Sequence, residues 1–383
     1  MSWLKFPLFA VACLTQLVTP SQAIVIQNND PAIFYHGRWD SSPGSWWAGT
    51  GFKLNVRDLT SLTLNLANFT ASPAALGVSV DYGPFTTVNV TVGANTIPLD
   101  GGSRSGSTVV RVNVEGWQNN RIHLDTITLN DGATLLPYKP SKLAFQFIGD
   151  SLSAGQFLDQ GVDQAWPFLT GEFFKAEHVV VAQPGAALTD IVSFGNQHGL
   201  SFEFFRASLQ SLQKLCLLTL LDKSQTEDDG YFFTTDHNFT TPWDFRKDVP
   251  AATHVVIHLG ANDASQNISD DAFVENYLSS VTHLRTIYQH QPIFVFSPWG
   301  WPQPDGPNSQ YYQGDYELIV DTLHSHGDSN VFLVNTTGWV DFDDVFPDNM
   351  HPTVAGHAKI AGLFESWLQE WGLRPHAQWA TPA

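Results

Sequence analysis

Two patterns of apolar and polar positions divide this chain. From Ile24 to about Tyr138 they alternate with period two, in SLTLNLANFT, ALGVSVDYG, FTTVNVTV and STVVRVNVEG, broken by Gly, Pro, Asn and Asp. Period two sends successive side chains to opposite faces of a sheet. Many short runs of this kind, with no helical period among them, predict an antiparallel β-sandwich or jelly roll over residues 24–138. At LLPYKPSK, Leu135 to Lys142, the alternation stops. Beyond it, near-continuous apolar runs (LAFQFIG, HVVVAQPG, THVVIHLGAND, PIFVFSP, NVFLVN) alternate with helical patterns. The helical patterns are VDQAWPFLTGEFF, DAFVENYLSSVTHLRTIY, SQYYQGDYELIVDTLHS and PTVAGHAKIAGLFESWLQEW. Strands buried on both faces and joined by helices make a parallel sheet. The prediction is a three-layer α/β/α domain of about five parallel strands over 139–374, followed by a tail, 375–383.

Residues 1–23 stand outside both patterns. A basic start at Lys5, an apolar run, and small residues at Ser21 and Ala23 read as a secretory signal cleaved after Ala23. The run is shorter than the ~18 residues of a spanning helix. Five N-x-S/T sequons, at Asn68, Asn89, Asn238, Asn267 and Asn335, agree with an extracellular glycoprotein. Cys13 leaves with the signal, so Cys216 has no partner in the mature chain and the fold must rest on its core. The formal charge is −19, or −20 once Lys5 is removed, which disfavours nucleic acid and anionic membrane as partners. One stretch, Ala207 to Gln225, is leucine-rich and atypical. It reads either as a surface helix or as the translation of a retained intron.

Four segments carry candidate chemistry. The run to Ile148 ends at Gly149-Asp150-Ser151, which sets a hydroxyl at the carboxyl end of a core strand, the edge where open parallel sheets bind ligands. HVVVAQPG ends in Gly185, whose N–H meets the same edge. VVIHLGAND brings the Asn262 amide, with Asp263 read as a turn or cap partner. FPDNMHP holds Asp348 and His351 three residues apart, a spacing that sets a carboxylate beside an imidazole if the segment forms one helical turn. A serine nucleophile needs a nearby base, and the oxyanion it generates needs preplaced donors. Ser151, His351 and Asp348 are the candidate catalytic residues. The Ser151 N–H, the Gly185 N–H and the Asn262 amide are the candidate oxyanion hole. Trp299 and Trp301, in SPWGWPQPDGPN, are candidate sugar-stacking residues, while His254 and His258 read as structural, His357 as facing along the last helix, and Trp46 and Trp47 as core or domain contacts. No metal-ligand spacing, P-loop, G-x-G-x-x-G or G-x-S-x-G elbow is present, so no metal or cofactor is expected.

These blocks, GDSL at Gly149 to Leu152, Gly185, GAND at Gly260 to Asp263 and DNMHP at Asp348 to Pro352, resemble the SGNH (GDSL) hydrolase superfamily. The β domain ahead of them, with its HGRWD opening at His36 to Asp40, is similar to carbohydrate esterase family 2. That resemblance implies a jelly roll joined to an SGNH domain that removes acetyl groups from plant-wall polysaccharides. It also implies that in some members a backbone carbonyl, not a carboxylate, supports the histidine. The expectation is therefore a secreted, monomeric serine esterase acting through an acetyl-enzyme on acetylated polysaccharide (acetylxylan or glucomannan). The rivals are a GDSL-type lipase or general short-chain esterase, and a catalytically silent glycan-binding protein.

Overall fold

The computed structural model describes residues 23–40, 43–99, 106–116, 121–206 and 242–382. Residues 1–22 of the signal segment, Asn238 and the stretch 207–225 lie outside the described residues.

Alternation becomes two packed antiparallel sheets. The first has four strands in the order β1 (Ile24–Gln27), β9 (Leu124–Leu129), β4 (Leu62–Leu66), β7 (Gly93–Ile97). The second runs β10 (Thr134–Leu136), β3 (Gly51–Arg57), β8 (Ser107–Val114), β5 (Ala74–Val80), β6 (Thr86–Val90), with β2 (Phe34–His36) pairing β3. In β4, Leu62, Leu64 and Leu66 point inward while Thr63 and Asn65 are partly exposed. The facing apolar rows, among them Phe52, Leu54, Val56, Val110, Val112 and Ile127, fill one core.

The second unit is a five-stranded parallel sheet. Its order is β12 (Glu177–Gln183), β11 (Ala144–Asp150), β13 (His254–His258), β14 (Ile293–Phe296), β15 (Val331–Val334). Its strands distribute side chains between two cores by parity. Val255, Ile257, Ile293 and Val295 enter one face, while Val256, Phe294 and Phe296 enter the other. The helices are α1 (Ser151–Ala154), α2 (Trp166–Phe174), α3 (Leu200–Glu203), α4 (Ala261–Ser265), α5 (Asp270–Arg285), α6 (Asp315–Ser325) and α7 (Val354–Trp371). Helix α6 begins later than the pattern from Ser309 suggested. Ser309 is paired with Trp301 as an isolated bridge, and Gly314 has φ +85°, so regular helix is possible only from Asp315.

Buried polar contacts join the two units. Arg38, fully buried, donates to the carbonyls of Phe204 (2.9 Å) and Arg206 (2.8 Å) and lies over the Trp243 ring. Lys53 pairs with Glu177 at 2.5 Å and Arg111 with Glu172 at 2.7 Å. Trp46 and Trp47 pack into the α/β core as domain contacts. The tail returns across the seam: Trp379 stacks on Tyr82, and Thr381 bonds both backbone groups of Lys139. A cavity of about 370 Å³ lies at this seam, but its α/β lining comes from Ala144–Gln146, Glu177–Val179 and residues between Trp243 and Ala252, at the amino ends of β11 and β12 and ahead of β13. It is therefore at the opposite end of the strands from Ser151.

Candidate active site

The chain leaves β11 for β12 on one side and later returns to β13 on the other. That reversal opens a crevice at the carboxyl ends of the strands. Ser151, Gly185 and Asn262 all follow the carboxyl ends of these three strands.

Ser151 opens the short helix α1 and is 8% exposed. Asp150, buried just before it, caps the helix by accepting from the Leu152 N–H at 3.0 Å. Gly149 has to be glycine, because a Cβ there would lie 2.5 Å from the Ser153 hydroxyl. The Ser151 N–H, at the first position of the helix, has no intrahelical acceptor.

Gly185 sits in a turn with φ +76°, and a Cβ on it would approach the Phe194 Cβ to 2.7 Å. Both geometry and space therefore select glycine. Asn196 fixes this turn by donating to the carbonyls of Pro184 (3.0 Å) and Ser193 (3.1 Å) and accepting from Gln183 (3.0 Å). Among the described residues the Gly185 N–H has no acceptor.

Asn262 lies in α4 and is 8% exposed. Its amide nitrogen donates to the Ala186 carbonyl at 2.9 Å and to Asp150 Oδ2 at 3.2 Å. These two bonds tie three of the four segments together. Asp263 adds a second tie, since its carboxylate accepts from the N–H groups of Leu188 (2.7 Å) and Thr189 (2.9 Å). It is a structural brace as expected, but a long-range one rather than a local turn partner.

His351 comes from the loop between β15 and α7. Its Nδ1 lies 2.9 Å from the backbone carbonyl of Asn349. A carbonyl only accepts, so Nδ1 carries the proton and Nε2 is the bare, basic nitrogen. Nε2 is buried and has no partner among the described residues. The loop holds the ring tightly: Asn349 Oδ1 accepts from the His351 N–H (3.0 Å), the His351 carbonyl accepts from the Phe346 N–H (2.8 Å), and Met350 has φ +59°. Burial lowers the His351 pKa below its usual 6.5, with the Asn349 bond acting in the opposite sense. The ring packs edge-on against Phe157, at 5.0 Å between centroids, in the loop just after α1.

Asp348 does not join His351. It is exposed, and its carboxylate accepts from the Asn349 amide at 3.3 Å. The three-residue spacing assumed a helical turn, but residues 346–351 form a tight loop with a left-handed residue, so the two side chains diverge. Asn349, whose carbonyl and side chain both hold His351, was missed because a backbone carbonyl leaves no mark in a sequence.

Trp299 is also not a stacking wall. It is 2% exposed, lies in the core and stacks on His258 at 4.2 Å. Trp301 is half-buried beside Tyr311, its backbone bridged to Ser309. The aromatics that border the site in the open are Phe157 (53% exposed, φ +71°) and Phe194 (63% exposed, φ +43°). A bulky side chain at positive φ is strained, so the fold holds both rings outward at a cost of about 1–3 kcal/mol each. His254 and His258 are buried and neutral, lowered to about 4 and about 3. His357 is buried, accepts from the Trp166 N–H at 3.2 Å and points into the core rather than along its helix.

Comparison with known proteins places the fold. Residues 228–359 match the model of the GDSL-like lipase/acylhydrolase family. That match lies within the α/β/α unit. The matched span includes Asn262 and His351, while Ser151 and Gly185 precede it. No curated protein sequence matches this chain. Among solved structures, a family two carbohydrate esterase from Cellvibrio japonicus is 17% identical, with a TM-score of 0.70, covering 91% of this chain and 98% of that one. One from Clostridium thermocellum, solved with cellohexaose, is 20% identical with a TM-score of 0.66, covering 88% and 98%. An acetyl xylan esterase from Butyrivibrio proteoclasticus is 15% identical with a TM-score of 0.65, covering 91% and 99%. The fold of this chain, an antiparallel jelly-roll sandwich followed by a three-layer α/β/α domain, is therefore the fold of those esterases, and the family match in its second unit supports a carboxylic ester hydrolase.

Proposed function

We propose that this protein is a secreted serine esterase that removes O-acetyl groups from plant cell-wall polysaccharides. The observation that carries the chemistry is the bare, buried His351 Nε2, fixed in its basic tautomer by the Asn349 carbonyl. In this reading the Ser151 hydroxyl is the group that Nε2, unpartnered among the described residues, deprotonates. Nε2 takes the hydroxyl proton as Oγ attacks the acetyl carbon, and the carbonyl π electrons move to oxygen. The Ser151 and Gly185 N–H groups and the Asn262 amide hold that oxyanion. Collapse expels the sugar alkoxide, which receives the proton from His351. Water then attacks the acetyl-enzyme by the same steps and releases acetate.

The pair works as a dyad, the carbonyl dipole standing in for the carboxylate of a triad. Asp348→Ala should then keep kcat within about fivefold, since an exposed charge is worth at most ~1 kcal/mol. A loss of several thousandfold would return Asp348 to the mechanism.

The substrate reading rests on Phe157 and Phe194, which flank the site and offer apolar faces to a sugar ring. Substitution of either by Ala should raise KM for an acetylated xylo-oligosaccharide roughly 2- to 10-fold, the equivalent of ~0.5–1.5 kcal/mol. KM for 4-nitrophenyl acetate should not change. Acetate release from acetylated xylan, glucomannan and long-chain esters tests the class, and preference for long acyl chains would favour a lipase. Export is supported by the exposure of Asn68, Asn89, Asn267 and Asn335. The protein is expected to act as a monomer, with the polysaccharide as its partner.

A further inference from the structure

We propose that Asp150 is a positioning residue for the oxyanion hole: when it is neutral it leaves one Asn262 amide proton to the acyl oxygen, and when it is ionised it holds that proton back. This rests on the esterase reading above. An amide nitrogen has two hydrogens. In Asn262 one is given to the Ala186 carbonyl at 2.9 Å, part of the loop that carries Gly185. The other points to Asp150 Oδ2 at the longer distance of 3.2 Å. The third oxyanion donor is therefore already engaged, and its acceptor decides how firmly. A carboxylate accepts about twice as strongly as a neutral group. A protonated acid accepts weakly at its hydroxyl oxygen, so the amide proton is free to turn to the oxyanion.

The surroundings favour the neutral form. Asp150 is 1% exposed, and no Lys or Arg pairs with it among the described residues. Burial pushes its pKa up to about 7, with the Asp263 charge from α4 adding to the rise and the Leu152 N–H opposing it. The other titratable groups facing it are neutral through the same range. Tyr311, before α6, and Tyr316, on it, are raised by burial, and His258, on β13 in register with Gly149 of β11, is lowered to about 3. Ionisation thus brings two penalties at once. It engages a donor, and it sets a negative charge beside the place where the oxyanion develops.

The test is kcat for acetate release from an uncharged small acetyl ester between pH 5 and 10, with the Ser151→Ala rate subtracted at each pH. In the wild type kcat should fall about tenfold per pH unit once Asp150 ionises. It should level off roughly 10²–10³ lower, the cost of one oxyanion donor. Asp150→Asn, which caps a helix as well as Asp does, should lack this alkaline fall while keeping the acid limb of His351. Asn262→Ala should start from a lower plateau and show a shallower fall, keeping only the part due to the Asp150 charge. A purely capping role would leave both the rate of Asp150→Asn and its alkaline fall as in the wild type. An alkaline fall that persists in the variant overturns the proposal, and so does a wild type whose kcat stays level from pH 6 to 9, whether or not the variant folds. A wild type inactive on esters, or active without Ser151, instead overturns the esterase reading.

Discussion

Ser151→Ala is expected to abolish turnover of acetyl esters with the fold intact. Loss of the nucleophile in a serine hydrolase removes on the order of 10⁶ from kcat. What survives comes from the oxyanion donors, which do not depend on the hydroxyl. Removal of one oxygen from a residue 8% exposed at the start of a four-residue helix leaves the cap, Asp150 to the Leu152 N–H, in place. The circular dichroism spectrum and the urea midpoint should match the wild type. The check is acetate release together with labelling by a serine-reactive phosphonate, which should modify the wild type at Ser151 and leave the variant untouched. Full activity in the variant, or labelling elsewhere, removes Ser151 from the mechanism and revives the silent glycan binder.

Much of the fold was legible because its two halves bury surface in different ways. β4 shows one face to the sandwich core, so its leucines alternate with polar residues. β11 and β13 are covered on both faces, so every residue is buried and the runs read as continuously apolar. The start of α6 was not legible, because it depends on the pairing of Ser309 with Trp301 across the loop that precedes the helix. The docking of the domains was equally hidden. Arg38 finds its acceptors at Phe204 and Arg206, 166 and 168 residues away, and nothing in HGRWD specifies them.

The candidate site divides along the same line. Gly149, Gly185 and Asn262 were readable because strand ends carry their signals locally, in glycine and in the polar residue that follows. Misreadings arose wherever partner or exposure was decided by tertiary structure. Asp348 sits at a spacing that pairs with His351 only on a helix. Trp299 follows a strand at the right edge, yet the core closes over it. Phe157 and Phe194 drew no notice, because positive φ at phenylalanine is imposed by the loops around it.

His351→Ala should lose about as much turnover as Ser151→Ala, since the hydroxyl and its base act as one unit and their losses do not add. The double variant should accordingly be no slower than either single one. The wild-type acid limb follows from the geometry. The base works only when neutral, and its neutral fraction grows as pH rises through its pKa. Burial lowers that pKa, so the rate should stay on its plateau below pH 6.5 and fall only at more acidic pH. A triad carboxylate would push the other way, stabilising the imidazolium and moving the limb above 6.5. The Asn349 carbonyl, without a full charge, offsets burial only in part. A kcat/KM profile from pH 3.5 to 8 therefore separates the two arrangements without any substitution at Asp348. A limb above pH 6.5 would mean that a carboxylate reaches the ring during catalysis. A His351→Ala enzyme within tenfold of wild type would mean that Ser151 is deprotonated by another group.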